Sequence, residues 1–353
     1  MPSLRAHVFR VPAGSPDDVS GVEALFAGRI DASDVVAVLG KTEGNGCVND
    51  FTRGYATRSF ERLFDEQNVE GVSIVMSGGT EGALSPHWTI FTRKQVEEPG
   101  EGALAIGVAR TPALPPEQLG RQEQVRMVAA AVKAAIRDAG VEDTADVHFV
   151  QIKCPLLTSQ RIADAEAAGK TTATRDTLKS MALSRGASAL GVAVALGEVD
   201  IDAIDDSDIC SRFDLYSRCA SASSGVELLD HEVIVLGMSA KWSGPLTIDH
   251  AVMRDAIDTG SVRAAWDRLP AEGRLAAVMA KAEPDPSGHV GGRRHTMLND
   301  SDLAGTRHAR AFVGGVLAGV FGMTDLYVSG GAEHQGPPGG GPVAIIVEKG
   351  DLK

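Results

Sequence analysis

Three lysines each close a short apolar run. Val35–Leu39 leads through Gly40 to Lys41, Val147–Ile152 leads to Lys153, and Leu275–Ala280 leads to Lys281. An arginine follows each in a helix-like stretch (Arg53, Arg185, Arg310), and a serine turn comes later: Ser77-Gly78-Gly79, Ser223-Ser224-Gly225, Ser329-Gly330-Gly331. A neutral lysine beside a serine can take the hydroxyl proton and leave a nucleophilic alkoxide. The free amine has a pKa of about 10.4, so it must be pushed toward neutrality by burial and by neighbouring cations. Arginine stays charged and presents a planar fork of donors suited to a ring rich in oxygen. Glycine lets the backbone approach a ligand, and two adjacent N–H groups would cradle a carbonyl whose charge grows during attack. The chemistry implied is amide hydrolysis through an acyl-enzyme. A lysine at a strand end is ordinarily solvated, a Ser-Gly-Gly run is ordinarily only a turn, and a helical arginine ordinarily faces water. The threefold recurrence in one order is what raises the chemical reading above these.

Strands are expected at Val35–Leu39, Val72–Met76, Ala103–Val108, Val147–Ile152, Glu232–Leu236, Leu326–Val328 and Val343–Val347, all short and mostly β-branched. Helices are expected over Glu117–Asp138, with Gly140 as a stop, and over Arg175–Leu196 and Asp302–Val320. Strands alternating with helices predict an α/β arrangement of α+β units. With the repeat, this gives three similar sheet-plus-helix domains around a pseudo-threefold axis: residues 1–110, 111–245 and 246–353, with the site at the centre.

The 353 residues carry a formal net charge of −13, which opposes a broad basic surface for nucleic acid or an anionic membrane. Four cysteines (Cys47, Cys154, Cys210, Cys219) show no C-x-x-C pair, so a disulfide framework or structural zinc site is not expected, and a reducing compartment fits. Met1–Gly14 has no apolar core of leader length and no run is long enough to span a bilayer, so a cytoplasmic chain is expected. His289, His295, His308 and His334 lack metal-binding spacing, and Gly288–Gly292 matches neither a Walker-A nor a dinucleotide fingerprint.

The run Gly40-Lys41-Thr42-Glu43-Gly44-Asn45-Gly46-Cys47-Val48-Asn49-Asp50 and the later Arg53 closely resemble the cyanuric acid hydrolase/barbiturase family. So do Met76-Ser77-Gly78-Gly79-Thr80-Glu81-Gly82, Lys153-Cys154-Pro155-Leu156-Leu157-Thr158 and Ser223-Ser224-Gly225-Val226-Glu227. In the third unit, Lys281-Ala282-Glu283 and Ser329-Gly330-Gly331-Ala332-Glu333-His334-Gln335-Gly336-Pro337 match as well. The resemblance spans nearly the whole chain. It implies ring opening of cyanuric acid to carboxybiuret, which loses carbon dioxide to give biuret. It implies Ser223 as nucleophile and Lys153 as its base. It also implies substrate contacts from Arg53, Ser77, Gly78, Arg185, Ser224, Arg310, Ser329 and Gly330, with Lys41 and Lys281 completing a ring of lysines. Ser224 stands as an alternative to Ser223, and Arg307 to Arg310; alignment of the repeats in frame selects Ser223 and Arg310.

The resemblance further implies a homotetramer and a structural divalent cation, with no cofactor for catalysis. The ligands would be Glu283 and carbonyl oxygens of Ala332, Gln335, Gly336, Pro337 and Gly340, a hard-oxygen shell suited to Mg²⁺ or Ca²⁺. Alternatively, Gly336–Pro342 is only a rigid loop. Two rivals to the leading function stand: a barbiturase acting on barbituric acid, toward which Cys47 argues weakly in the negative, and a noncatalytic small-molecule binder on the same scaffold. The partner expected in every case is a small cyclic imide.

Overall fold

The computed structural model describes residues 2–350. Its strands are β1 (Ser3–Pro12), β2 (Val35–Thr42), β3 (Ser73–Gly78), β4 (His87–Val96), β5 (Ala103–Arg110), β6 (Val147–Pro155), β7 (Ala220–Gly225), β8 (Glu232–Ser239), β9 (Trp242–Ser243), β10 (Leu246–Met253), β11 (Arg274–Ala282), β12 (His289–Val290), β13 (Arg293–Arg294), β14 (Tyr327–Gly330) and β15 (Gly341–Glu348). The α-helices are α1 (Ser20–Phe26), α2 (Phe51–Glu66), α3 (Gln122–Ala139), α4 (Ser159–Ala167), α5 (Thr177–Leu196), α6 (Thr259–Asp267) and α7 (Gly305–Phe321).

One plan recurs three times. The sheets run β3-β2-β4-β1, β7-β6-β8-β5 and β14-β11-β15-β10, with β9 adding a short edge to the first. In each, a central strand pairs parallel with the strand that follows its helical crossover and antiparallel with the last strand of the unit. The central strands even share an irregularity, a register shift near their start at Val35/Ala37, Val147/Phe149 and Leu275/Ala277. A bulge adds local twist, and here it recurs at the same place in all three units. The fold is therefore three sheet-plus-helix domains about a pseudo-threefold axis.

Sheet membership moves the first domain boundary. β5 pairs with β8 over eight residues, Ala103↔Ser239 to Arg110↔Glu232, so it belongs to the second sheet, and the junction lies at 97–102 rather than at Arg110. The expected helices form with shifted starts. The segment 116–118 is a separate 3-10 turn ahead of α3, and α5 begins at Thr177 because Asp176 caps it by accepting from the Lys179 N–H. Gly140, Gly197 and Gly322 end α3, α5 and α7 with positive φ, as left-handed caps. The largest apolar core joins all three sheets, including Leu39 and Phe91, Ile152 and Val235, and Met279 and Ile346. No helix among the described residues is long and apolar enough to cross a membrane.

Candidate active site

The parallel pairing of each unit sets its lysine beside its serine: Lys41↔Ser77, Lys153↔Ser223 and Lys281↔Ser329 are register partners. Side chains at paired positions of neighbouring strands share a face, about 4.8 Å apart. All three lysines are buried, as are Ser77, Ser223, Ser224, Ser329, Arg53 and Arg310. Each amine also reaches into the next unit, donating to the carbonyl just before that unit's serine: Lys41 to Val328 (2.8 Å), Lys153 to Met76 (2.7 Å) and Lys281 to Ala222 (2.9 Å). These contacts close a ring around the axis. Burial lowers the pKa of all three amines; Arg310 adds to this at Lys41, and Arg185 brings Lys281 to about 7.

Between them lies a cavity of about 260 Å³, mouth included, lined by Gly46, Arg53, Ser77, Gly78, Met181, Arg185, Ser223, Ser224, Arg310, Ser329 and Gly330. All three expected arginines meet there. Arg307 lies aside, its Nη2 3.7 Å from Cys47 Sγ, so the third arginine is Arg310. Tyr327, two residues before Ser329, is buried with its hydroxyl, and Ser77 and Ser223 are its polar neighbours.

Sequence reasoning passed over three glutamates, each four residues after its serine. Glu81 accepts from Arg310 Nε (2.9 Å) and Nη2 (2.5 Å), and Glu333 accepts from Arg185 Nε (2.8 Å) and Nη2 (2.6 Å). Both pairs cross from one unit to the next, and the same rotation would seat Glu227 on Arg53. Glu227 instead lies 2.6 Å from Lys153 Nζ, while Arg53 donates to the carbonyls of Cys47 (2.6 Å) and Ser224 (3.1 Å). The +4 spacing was the signal available in the sequence.

The second unit breaks the pattern again at its serine. Lys41 and Lys281 donate to Ser77 and Ser329 Oγ at 3.2 Å, whereas Ser223 Oγ meets Ser329 Oγ at 3.0 Å and Lys153 is occupied by Glu227. A lysine already bonded to Ser223, the simplest form of the expected dyad, is not the arrangement present. The Gly79 N–H donates to Thr42 O (2.8 Å) and the Gly331 N–H to Glu283 Oε2 (2.8 Å), so these two amides hold the turns that follow Gly78 and Gly330. Both glycines have positive φ (106° and 78°), and a Cβ would fall 2.4 Å from Arg310 at Gly79 and 2.3 Å from Arg185 at Gly331.

Near the last loop, Glu283 and Glu333 are half-buried, and Arg185 is the cation close to both. Burial and Glu333 raise Glu283 to about 7. The loop 336–341 backs onto this strand end, where Gly339 abuts Asp285 and Gly341 abuts the Lys281 carbonyl. Glu283 accepts from the Thr306 hydroxyl (2.9 Å) and the Gly331 N–H (2.8 Å), and a carboxylate so held beside a loop rich in carbonyls is a donor set that fits a hard divalent cation.

Over residues 7–348 the chain matches the family described as amidohydrolase ring-opening protein. It is 79% identical to a cyanuric acid amidohydrolase of Rhizobium johnstonii over 349 residues, 99% of each chain. It is 52% identical to one from Enterobacter cloacae, covering 97% of this chain and 99% of that one. A crystal structure of cyanuric acid hydrolase from A. caulinodans superposes with a TM-score of 0.94 at 58% identity, covering 99% of both chains. A threefold plan, three lysine–serine–arginine sets on one cavity and this degree of likeness lead to one conclusion: the chain belongs to the ring-opening amidohydrolase family.

Proposed function

We propose that the chain opens the ring of cyanuric acid by hydrolysis, with Ser223 as the nucleophile. The observation that carries this reading is a single small cavity receiving one serine, one arginine and one lysine-bearing strand from each of three like units. A ring with three equivalent carbonyls matches that symmetry, and its carbonyls are what arginine forks and serine hydroxyls bind. The relatives' names support the same substrate. Ser223 Oγ attacks one ring carbonyl, the ring C–N bond breaks, and its nitrogen takes a proton from a lysine. Water then cleaves the acyl bond, releasing carboxybiuret, which loses carbon dioxide to give biuret.

Ser223 is favoured because the two other serines are each tied to their own lysine, whereas its hydroxyl is not. Lys153 is its register partner and serves as the base once its amine turns from Glu227. A second reading of the base rests on one specific contact chain. Ser223 Oγ meets Ser329 Oγ, which accepts from Lys281, an amine already near pKa 7, so the proton can leave along that path. Glu283 and the carbonyls of Ala332, Gln335, Gly336, Pro337 and Gly340 would hold Mg²⁺ or Ca²⁺, whose part is to neutralise carboxylate charge beside Arg185.

The test follows loss of ring ultraviolet absorbance for cyanuric and barbituric acids side by side. Turnover of cyanuric acid, with Ser223→Ala lowering kcat/KM by roughly a thousandfold or more, is expected. Turnover of barbituric acid alone, or binding of either without turnover, overturns the proposal. Lys153→Ala falling as far as Ser223→Ala supports the dyad, and Lys281→Ala doing so instead supports the relay.

A further inference from the structure

His148, second residue of β6, meets His250 of β10 at the joint between the second and third sheets. Lys153 lies five residues further along β6, roughly 17 Å away at about 3.3 Å per residue, so this cluster is remote from the cavity. The two Nδ1 atoms are 2.9 Å apart, and Asp249 Oδ1 is 3.6 Å from His148 Nδ1. The side chains are partly open to solvent, which leaves a path in.

Tautomers decide what these atoms can do. Cys219 Sγ lies 3.4 Å from the Val147 carbonyl, to which its S–H donates, and 3.5 Å from His250 Nε2. With its proton committed, the sulfur accepts from Nε2–H, which leaves His250 Nδ1 as a bare lone pair aimed at His148. Asp249 is in turn fixed by Arg268, whose Nε and Nη2 donate to its two oxygens at 2.6 and 3.1 Å. Ligand atoms facing one another, with His250 and Asp249 each held by an outer partner on the far side, are an arrangement found at metal centres. One proton on His148 Nδ1 would bridge the two rings alone, whereas a cation bridges the two rings and adds Asp249 Oδ1, which also accepts from Arg268 and from the His250 N–H (2.6 Å).

We propose that His148, Asp249 and His250 form a binding site for a divalent transition metal of the zinc class, clipping the second sheet to the third. Two imidazoles and a single carboxylate suit such an ion and not Mg²⁺ or Ca²⁺, which require more oxygen ligands.

The test strips the full-length enzyme with a chelator and titrates it with zinc chloride by calorimetry, alongside His148→Ala and His250→Ala. One zinc per chain with a Kd of roughly 1 µM or tighter is expected, weakened at least about tenfold in either variant. Zinc should raise the Tm of the parent and not of the variants, and the ring-opening kcat/KM of both variants should stay within about twofold of the parent. Undiminished zinc binding by both variants, or none by the folded parent, overturns the proposal. Should His250→Ala fail to fold, His148→Gln gives the same reading.

Discussion

A lysine acts as a base only once its proton has gone, and the three central amines differ in what holds that proton. Lys281 is brought to about 7 by burial and Arg185. Lys153 is lowered by burial too, but Glu227 at 2.6 Å opposes the shift. The sign follows directly: the neutral base appears above the lysine pKa, and a nearby carboxylate raises that pKa. Glu227→Gln should therefore move the acidic limb of the kcat/KM profile to lower pH, by roughly one unit. A limb that stays in place would mean that Lys153 is not the titrating base. The glutamates were legible in the sequence, since one stands four residues after each serine. The departure of Glu227 from Arg53 was not, because it depends on which of two cations in the folded site it reaches.

Elements with an unbroken apolar run were readable from composition, whereas β1, β4 and β10, which mix apolar with charged and polar residues, and β7 were not. β2, β6, β8 and β15 are rich in Val, Ile and Leu, and their positions follow from that. β7 reads Ala-Ser-Ala-Ser-Ser-Gly, with no β-branched or aromatic residue, yet all six positions are buried. Its strand state comes from pairing with β6 and from Lys281 bonding the Ala222 carbonyl, both products of the tertiary fold. α2 was visible only as a helix-like stretch around Arg53, and Asp50, accepting from the Thr52 N–H, sets its start. The serine turns carry a prediction of their own. At Gly331 a methyl group meets Arg185 at 2.3 Å in a backbone region that suits glycine, so Gly331→Ala should cost about 1–3 kcal/mol in denaturant unfolding and raise KM by displacing Arg185. Unchanged stability and KM would show that the close approach of arginine to this turn is dispensable.

Three sheets of one topology would ordinarily suggest three independent folding units, but the centre argues for one. Each lysine bonds a carbonyl of the neighbouring unit, and the largest core draws side chains from every sheet. Thermal unfolding should give a single transition, with coincident near- and far-ultraviolet dichroism, and two resolved transitions would contradict the shared core. The same convergence explains how a threefold frame can host one reaction: symmetry places three serines on one ring, and the departures gathered in the second unit leave one hydroxyl without a lysine of its own. Rapid acid quench during turnover of cyanuric acid, followed by mass spectrometry of the digested chain, tests this most directly. The account predicts a mass gain of one whole substrate molecule on the peptide bearing Ser223, since ring opening expels no fragment. The same gain on the Ser77 or Ser329 peptide would contradict it.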